Sequence, residues 1–182
     1  DPELQSRMSQ LLHAERYIKA LINRDGTSDQ TWALMNQTHN EINRTLNFEW
    51  QFQAALTKCQ MLAIDGRNKE SVELLTEMIE KGRQSGSQRT LPLALAQRAR
   101  VRLDTGDVIG ASADAKESLL RNRALGWKIN EPDLYEIRAL CLDRQGQTAE
   151  AMQTWLEAYQ MCEGLKLHHR SLQMLLGIAA LQ

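Results

Sequence analysis

Four glycines constrain this chain more than any other feature. Gly26, Gly66, Gly106 and Gly146 stand 40 residues apart, and three of them close similar phrases: Leu62-Ala63-Ile64-Asp65-Gly66, Leu103-Asp104-Thr105-Gly106 and Leu142-Asp143-Arg144-Gln145-Gly146. An apolar run that turns polar and then meets Gly is how a helix stops. The columns around each Gly keep the same step. Seven residues before it stand Cys59, Ala99 and Ala139; five after it stand Ser71, Ala111 and Ala151. Nine after it come Leu75, Ala115 and Trp155, and thirteen after it Ile79, Leu119 and Tyr159. Small residues at fixed offsets on two helices let their axes approach to about 8 Å, and the spacing of four continues one apolar stripe. Self-similarity at such a period marks an array of stacked helical units.

Each unit reads as helix, tight turn, helix. The units cover about 4–46, 48–86, 90–126 and 132–165, with the first helix of a further unit at 168–182. In the second unit the first helix is expected over 50–64, and the second starts near Asn68, a good N-cap, and ends toward Gly82. In the fourth, Thr148 is expected to cap a helix over 149–163, with Gly164 as its stop. Linkers are expected at 82–90 and 126–132. The first unit departs from the pattern: Thr27-Ser28-Asp29 makes a cap, yet Lys19 and Thr31 stand in the small-residue columns. At the other end Leu172, Leu175, Leu176, Ile178, Ala179 and Leu181 form an apolar stripe, and Ala179 falls 40 residues after Ala139. A first helix without its partner leaves that stripe uncovered. The expectation is a single all-α solenoid domain over 1–182, cut from a larger protein in which the array continues; the competing expectation is a homodimer joined through the terminal helices.

The small residue on the first helix, Gly at the turn and Ala on the second helix resemble tetratricopeptide repeats across nearly the whole chain. The 40-residue period is similar to that of the longer arrays in MalT-like bacterial transcription regulators and in other bacterial sensor and signalling proteins. The resemblance implies a right-handed α-solenoid of antiparallel helix pairs, whose concave face, lined mainly by first helices, binds a peptide, a protein or a small effector. It also implies a regulatory module that passes occupancy to an output domain. Trp155 and Tyr135 are the best survivors of the family's aromatic knobs, while Ala55 and Leu95 stand in the column of Tyr135.

Composition excludes several classes. Hydrophobic residues at 42% and charged residues at 25% are too ordinary for a disordered chain. A net charge of −1 gives no chain-wide attraction to nucleic acid or anionic lipid, so neither a nucleic acid nor a membrane is expected as partner. No apolar stretch approaches the roughly 18 residues of a membrane-spanning helix. Cys59, Cys141 and Cys162 are odd in number and embedded in apolar helical pattern, which suits buried thiols in the cytoplasm; a leader on the parent protein would make it periplasmic.

One stretch breaks the neutrality. Lys81, Arg83, Arg89, Arg98, Arg100 and Arg102 lie between 81 and 103 with no acidic residue among them. Arg98 and Arg102 share a helix face, and Lys58, Arg98 and Arg138 recur at the 40-residue period. Such a ladder could hold a carboxylate-bearing peptide, a phosphorylated ligand or an acidic partner through guanidinium forks. The plainer reading pairs these cations with Glu70, Glu73, Glu77 and Glu80 of the preceding helix, or leaves them merely solvated. Trp127, in the Gly126-Trp127-Lys128 linker, either stacks on a ligand or plugs the gap between units. The candidate partner-binding residues are thus Lys58, Arg98, Arg102, Arg138 and Trp127, and Met174 is the methionine expected to meet a neighbour.

Chemistry has weaker support. Cys162, Glu163, His168 and His169 crowd one helix end, but match no zinc-ligand spacing. Gly82-Arg83-Gln84-Ser85-Gly86-Ser87 lacks the Gly-Lys-Ser/Thr of a phosphate loop. No nucleophile can be set beside its base. The expectation is therefore no enzyme, no metal and no cofactor.

Overall fold

A computed structural model describes residues 2–45 and 47–181; Asp1, Leu46 and Gln182 lie outside the described residues, and with them the end of the first expected unit at 46. The described residues form α1 (Pro2–Asp25), α2 (Asp29–Asn43), α3 (Phe48–Ile64), α4 (Asn68–Gln84), α5 (Thr90–Asp104), α6 (Val108–Ala124), a 3-10 turn at Lys128–Asn130, α7 (Glu131–Arg144), α8 (Thr148–Gly164) and α9 (His168–Ala179). No strand occurs among them. None of these helices is long and apolar enough to cross a membrane.

The helix ends explain the repeat. Gly66, Gly86, Gly106, Gly126, Gly146 and Lys166 all take positive φ, at steps of 20 residues. After Gly66, Gly106, Gly146 and Lys166 the next residue reaches back five positions: Arg67 N–H to Leu62 O at 2.7 Å, Asp107 to Arg102 at 2.8 Å, Gln147 to Leu142 at 2.9 Å and Leu167 to Cys162 at 2.8 Å. This is the left-handed helix stop, which glycine enters without a Cβ penalty. Lys166, at φ 57°, is the non-glycine member.

Starts are more varied. Ser28 accepts from Thr31 N–H and the Thr31 side chain returns a bond to Ser28 N–H, a reciprocal cap for α2. Asn47 and Asp107 cap α3 and α6 through their side chains, whereas Pro132 opens α7. Two expected caps shift by a residue. Asn68 and Thr148 are the first helical residues, behind Arg67 and Gln147, and neither end has a side-chain cap bond. α4 also runs through Gly82 to Gln84, and Gly164 is the last helical residue rather than the stop.

The sequence reads as one domain; the helices group into two compact units, Asp1–Gly86 and Ser87–Gln182. In the first unit, Ile18, Ile22, Met35, Ile42, Ala54 and Met61 make the core. Glu15 of α1 is buried there, accepting from the Thr57 hydroxyl of α3 at 2.9 Å and from Lys19 at 2.7 Å. The turns of this unit are tied outside the core. Asp65 accepts from the Thr27 hydroxyl and from Trp32 Nε1 at 2.7 Å, and the Arg67 guanidinium lies 4.9 Å from the Trp32 ring centre.

In the second unit, Ala99, Leu103, Ala111, Ala115, Leu134 and Ala139 fill the seams between helices. Small side chains draw α5 to α6 and α7 to α8, where burial of the apolar stripe supplies about 25 cal/mol per Å2. Met174 joins this core with no exposed surface. That corrects the expectation of Met174 as a surface contact: the inward face of α9 carries it, packed as Leu134 is on α7.

Candidate partner-binding surfaces

In the first unit, Lys58 lies half-buried on α3. Close by, His39 of α2 is buried, and its Nδ1 has no hydrogen-bond partner among the described residues. Burial pushes the His39 imidazole down to about 4, with Lys58 and Lys81 adding to the effect and Glu77 opposing it. Lys58 thus helps burial to keep the His39 imidazole neutral.

In the second unit, the expected cations separate by environment. Arg98 is buried, and its Nε and Nη2 donate to the two carboxylate oxygens of Asp114 on α6, at 2.8 and 2.7 Å. Arg102 donates to Asp114 Oδ2 at 2.9 Å and to Gly110 O at 3.4 Å, and lies 3.4 Å from Asp107. These two candidates face the α5–α6 seam. Arg100 pairs with Glu136 of α7 at 3.0 Å. Lys81 and Arg83 pair within α4, with Glu77 and Glu80. The plainer sequence reading is thereby corrected for α5: its arginines find their carboxylates on later helices, because α5 packs against α6 and α7.

Arg138 is exposed, its guanidinium 5.6 Å from the Tyr135 ring centre. The Tyr135 hydroxyl accepts from Arg123 at 2.8 Å. Trp127 is half-buried, with the Arg89 guanidinium 6.0 Å from its ring centre, inside cation–π range. Arg170 of α9 reaches Asp133 at 3.2 Å and Ile129 O at 2.8 Å.

Sequence reading passed over one concavity. A cavity of about 320 Å3 opens between the start of α7 and the end of α8, lined by Lys128, Glu131, Met161, Gly164 and Leu165. Its walls are mainly apolar, with a lysine beside them, and its volume suits one large side chain or a small ligand.

The remaining candidates fall apart in space or chemistry. Cys162 is buried in α8, whereas His168 and His169 are exposed on α9. Burial pushes the Cys59 thiol up to about 11 and raises Cys141 and Cys162 as well, so all three favour the unreactive thiol form. No group of three metal-ligating side chains gathers among the described residues.

The same arrangement of helices is found in solved structures. A signal transduction ATPase with numerous domains from Pyrococcus horikoshii, which carries a tetratricopeptide repeat sensor, matches 94% of this chain at 13% identity with a TM-score of 0.81. The chain has the tetratricopeptide-like repeat fold. Two crystal structures of putative kinesin light chain nearly identical tetratricopeptide-like repeats from Podosopora anserina agree. One of them, a point variant of those repeats, matches 95% of this chain and 85% of its own at 14% identity, TM-score 0.77. The other matches 96% and 95% at 13% identity, TM-score 0.70. The present chain spans about a quarter of the Pyrococcus protein, 26% of its length. No protein-family model matches the sequence. No curated protein matches it either. Tetratricopeptide-like repeats at these identities share architecture, and the side chains above are this chain's own.

Proposed function

We propose that this chain is the partner-binding segment of a larger bacterial regulatory or signalling protein. It binds an acidic protein or peptide, or a small anionic effector, on its first-helix faces and passes that occupancy to an output domain. The observation that carries this reading is the repeat fold shared with a protein described as having a tetratricopeptide repeat sensor. Lys58 in the first unit and Arg138 and Trp127 in the second supply charge and a stacking surface outside the packed seams. Arg98 and Arg102 act beneath them by holding α5 to α6 through Asp114. The reading assigns no catalytic step, and three buried free thiols support the reducing cytoplasm as its setting.

The test is fluorescence anisotropy with labelled peptides matched in length and apolar content but differing in charge. Acidic peptides are expected to bind about ten-fold tighter than basic ones and to weaken with salt. Charge reversal at Lys58 should weaken the preference at the first unit's surface, and charge reversal at Arg138 that at the second's. Equal binding of both peptide classes would overturn the reading.

A further inference from the structure

We infer that the cavity between the start of α7 and the end of α8 is a binding site for a free apolar α-amino acid. The ligand's ammonium pairs with Glu131, its carboxylate with Lys128, and its side chain lies along Met161 and Leu165. The preceding helix pair carries the same place in closed form. In the 40-residue register, Glu131, Met161 and Gly164 correspond to Leu91 of α5 and to Arg121 and Ala124 of α6. Leu91 is apolar and only 4% exposed, so a packed side chain takes up that position in the α5–α6 pair. In the α7–α8 pair an acid replaces the leucine and a glycine the alanine, and a Cβ at Gly164 would meet nothing within 4 Å. The cavity of about 320 Å3 opens at these altered places. Its volume is at the small end of the roughly 300–1,000 Å3 of ligand sites, which suits a metabolite of amino-acid size.

The charges at the cavity define the occupant. Glu131 is 9% exposed, yet its carboxylate accepts no hydrogen bond among the described residues, and its ion pair is with Arg123 Nε at 3.5 Å. Arg123 makes its shorter contact elsewhere, donating from Nη2 to the Tyr135 hydroxyl at 2.8 Å. A carboxylate can accept about four hydrogen bonds, and burying one without them is costly, so Glu131 favours a cationic donor from outside. Lys128 stands three residues earlier on the same cavity, exposed, and forms no ion pair among the described residues, with Glu131 or with any other. Opposite charges thus border one apolar space without meeting. An α-amino acid carries an ammonium and a carboxylate on one carbon and answers both, whereas a plain acid would be repelled by Glu131 and a plain amine would leave Lys128 unmatched. Half-buried Met161 and the Leu165 side chain supply the apolar wall, and a thioether adapts to side chains of differing shape. All five lining residues precede α9, so the site is defined within one helix pair. It shares no residue with the acidic-ligand surfaces above, so failure here leaves that reading standing.

The test is titration calorimetry of the whole 182-residue chain with L-phenylalanine and L-leucine. Saturable binding is expected, with a Kd at or below about 1 mM. Removing either charge should weaken it about ten-fold or more: L-phenylalaninamide lacks the carboxylate, and N-acetyl-L-phenylalanine lacks the ammonium. Glycine, which has no apolar body, should not saturate. Glu131→Leu installs the residue of the preceding pair, and Gly164→Leu fills the cavity from an exposed position. Both variants should keep the parent's helical circular dichroism and lose the binding, while Lys128→Ala, at an exposed site, should weaken it about ten-fold. Absence of saturation by both amino acids up to about 10 mM overturns the proposal. So does binding that neither Glu131→Leu nor Gly164→Leu changes, which would put the ligand elsewhere. Equal binding of N-acetyl-L-phenylalaninamide, capped at both ends, would give the cavity to a side chain of a peptide partner and overturn the assignment to a free amino acid.

Discussion

The two units are built from the same helix pair and hold their buried polar groups differently. In Asp1–Gly86, the buried carboxylate Glu15 meets one hydroxyl and a lysine that keeps 41% of its side chain exposed. In Ser87–Gln182, the buried carboxylate Asp114 receives three donor groups from two arginines, one of them buried as well. The α1–α2 seam of the first unit also differs from the α5–α6 seam of the second. The first pair has Lys19 and Thr31 where the α5–α6 pair has Ala99 and Ala111. Small residues bring backbones together and exclude water, and in that drier seam a charge persists only when tightly paired. Close packing and strong ion pairing are thus coupled choices.

The largest expected effect breaks that coupling. Asp114→Ala removes the buried carboxylate that Arg98 and Arg102 share and should cost about 3–5 kcal/mol in urea unfolding. Glu15→Ala should cost about 1–2 kcal/mol, because the Thr57 hydroxyl still reaches Gln53 O at 3.2 Å and Lys19 can turn to water. Equal costs would erase the distinction drawn between the units.

Next is a pH effect confined to the first unit. The folded-state pKa of His39, about 4, lies below its ordinary 6.5, so the unfolded chain binds the proton more readily. Stability should fall as pH drops from about 6.5 toward 4, by roughly 2 kcal/mol after allowing for partial solvent screening. Carboxylates titrate near the lower end of this window, so the decisive quantity is the difference between the parent and His39→Leu across urea melts at about pH 7, 5.5 and 4.5. The parent should lose more.

A third variant probes the α8–α9 seam. A Cβ at Gly177 would lie 2.6 Å from the Trp155 ring, and Trp155 is buried. Gly177→Ala should cost about 1–3 kcal/mol by thermal melt. In the first unit the same register position holds Thr57, whose hydroxyl ties α3 to α1.

The smallest effect is a gain. Lys166 occupies the left-handed stop that glycine fills at 86 and 126, so Lys166→Gly should stabilise the second unit by about 1 kcal/mol in the same melts.

The architecture was readable because Gly26, Gly66, Gly106 and Gly146 mark one stop per pair. The alternate stops stayed hidden, because Lys166 breaks the column of Gly86 and Gly126, and a backbone angle leaves no trace in residue type there. Lys58, Arg98 and Arg138 were visible as a periodic column, but their environments were not. Burial depends on rotation of the side chain about its helix, and Arg98 turns into the seam toward a carboxylate in the next helix. A trace of that pairing was present: Asp114 stands where the neighbouring repeats have Leu74 and Thr154. A single acid in such a column signals a buried cation opposite.

Turns that fall at a constant stride make the polypeptide divisible. Excising 107–146, or pasting in a second version of it, would rejoin like with like at Gly106 and Gly146, and each later rod would still present its proper side to the one before it. Length can therefore change in whole pairs during gene duplication or protein engineering, without re-solving the packing of the remainder.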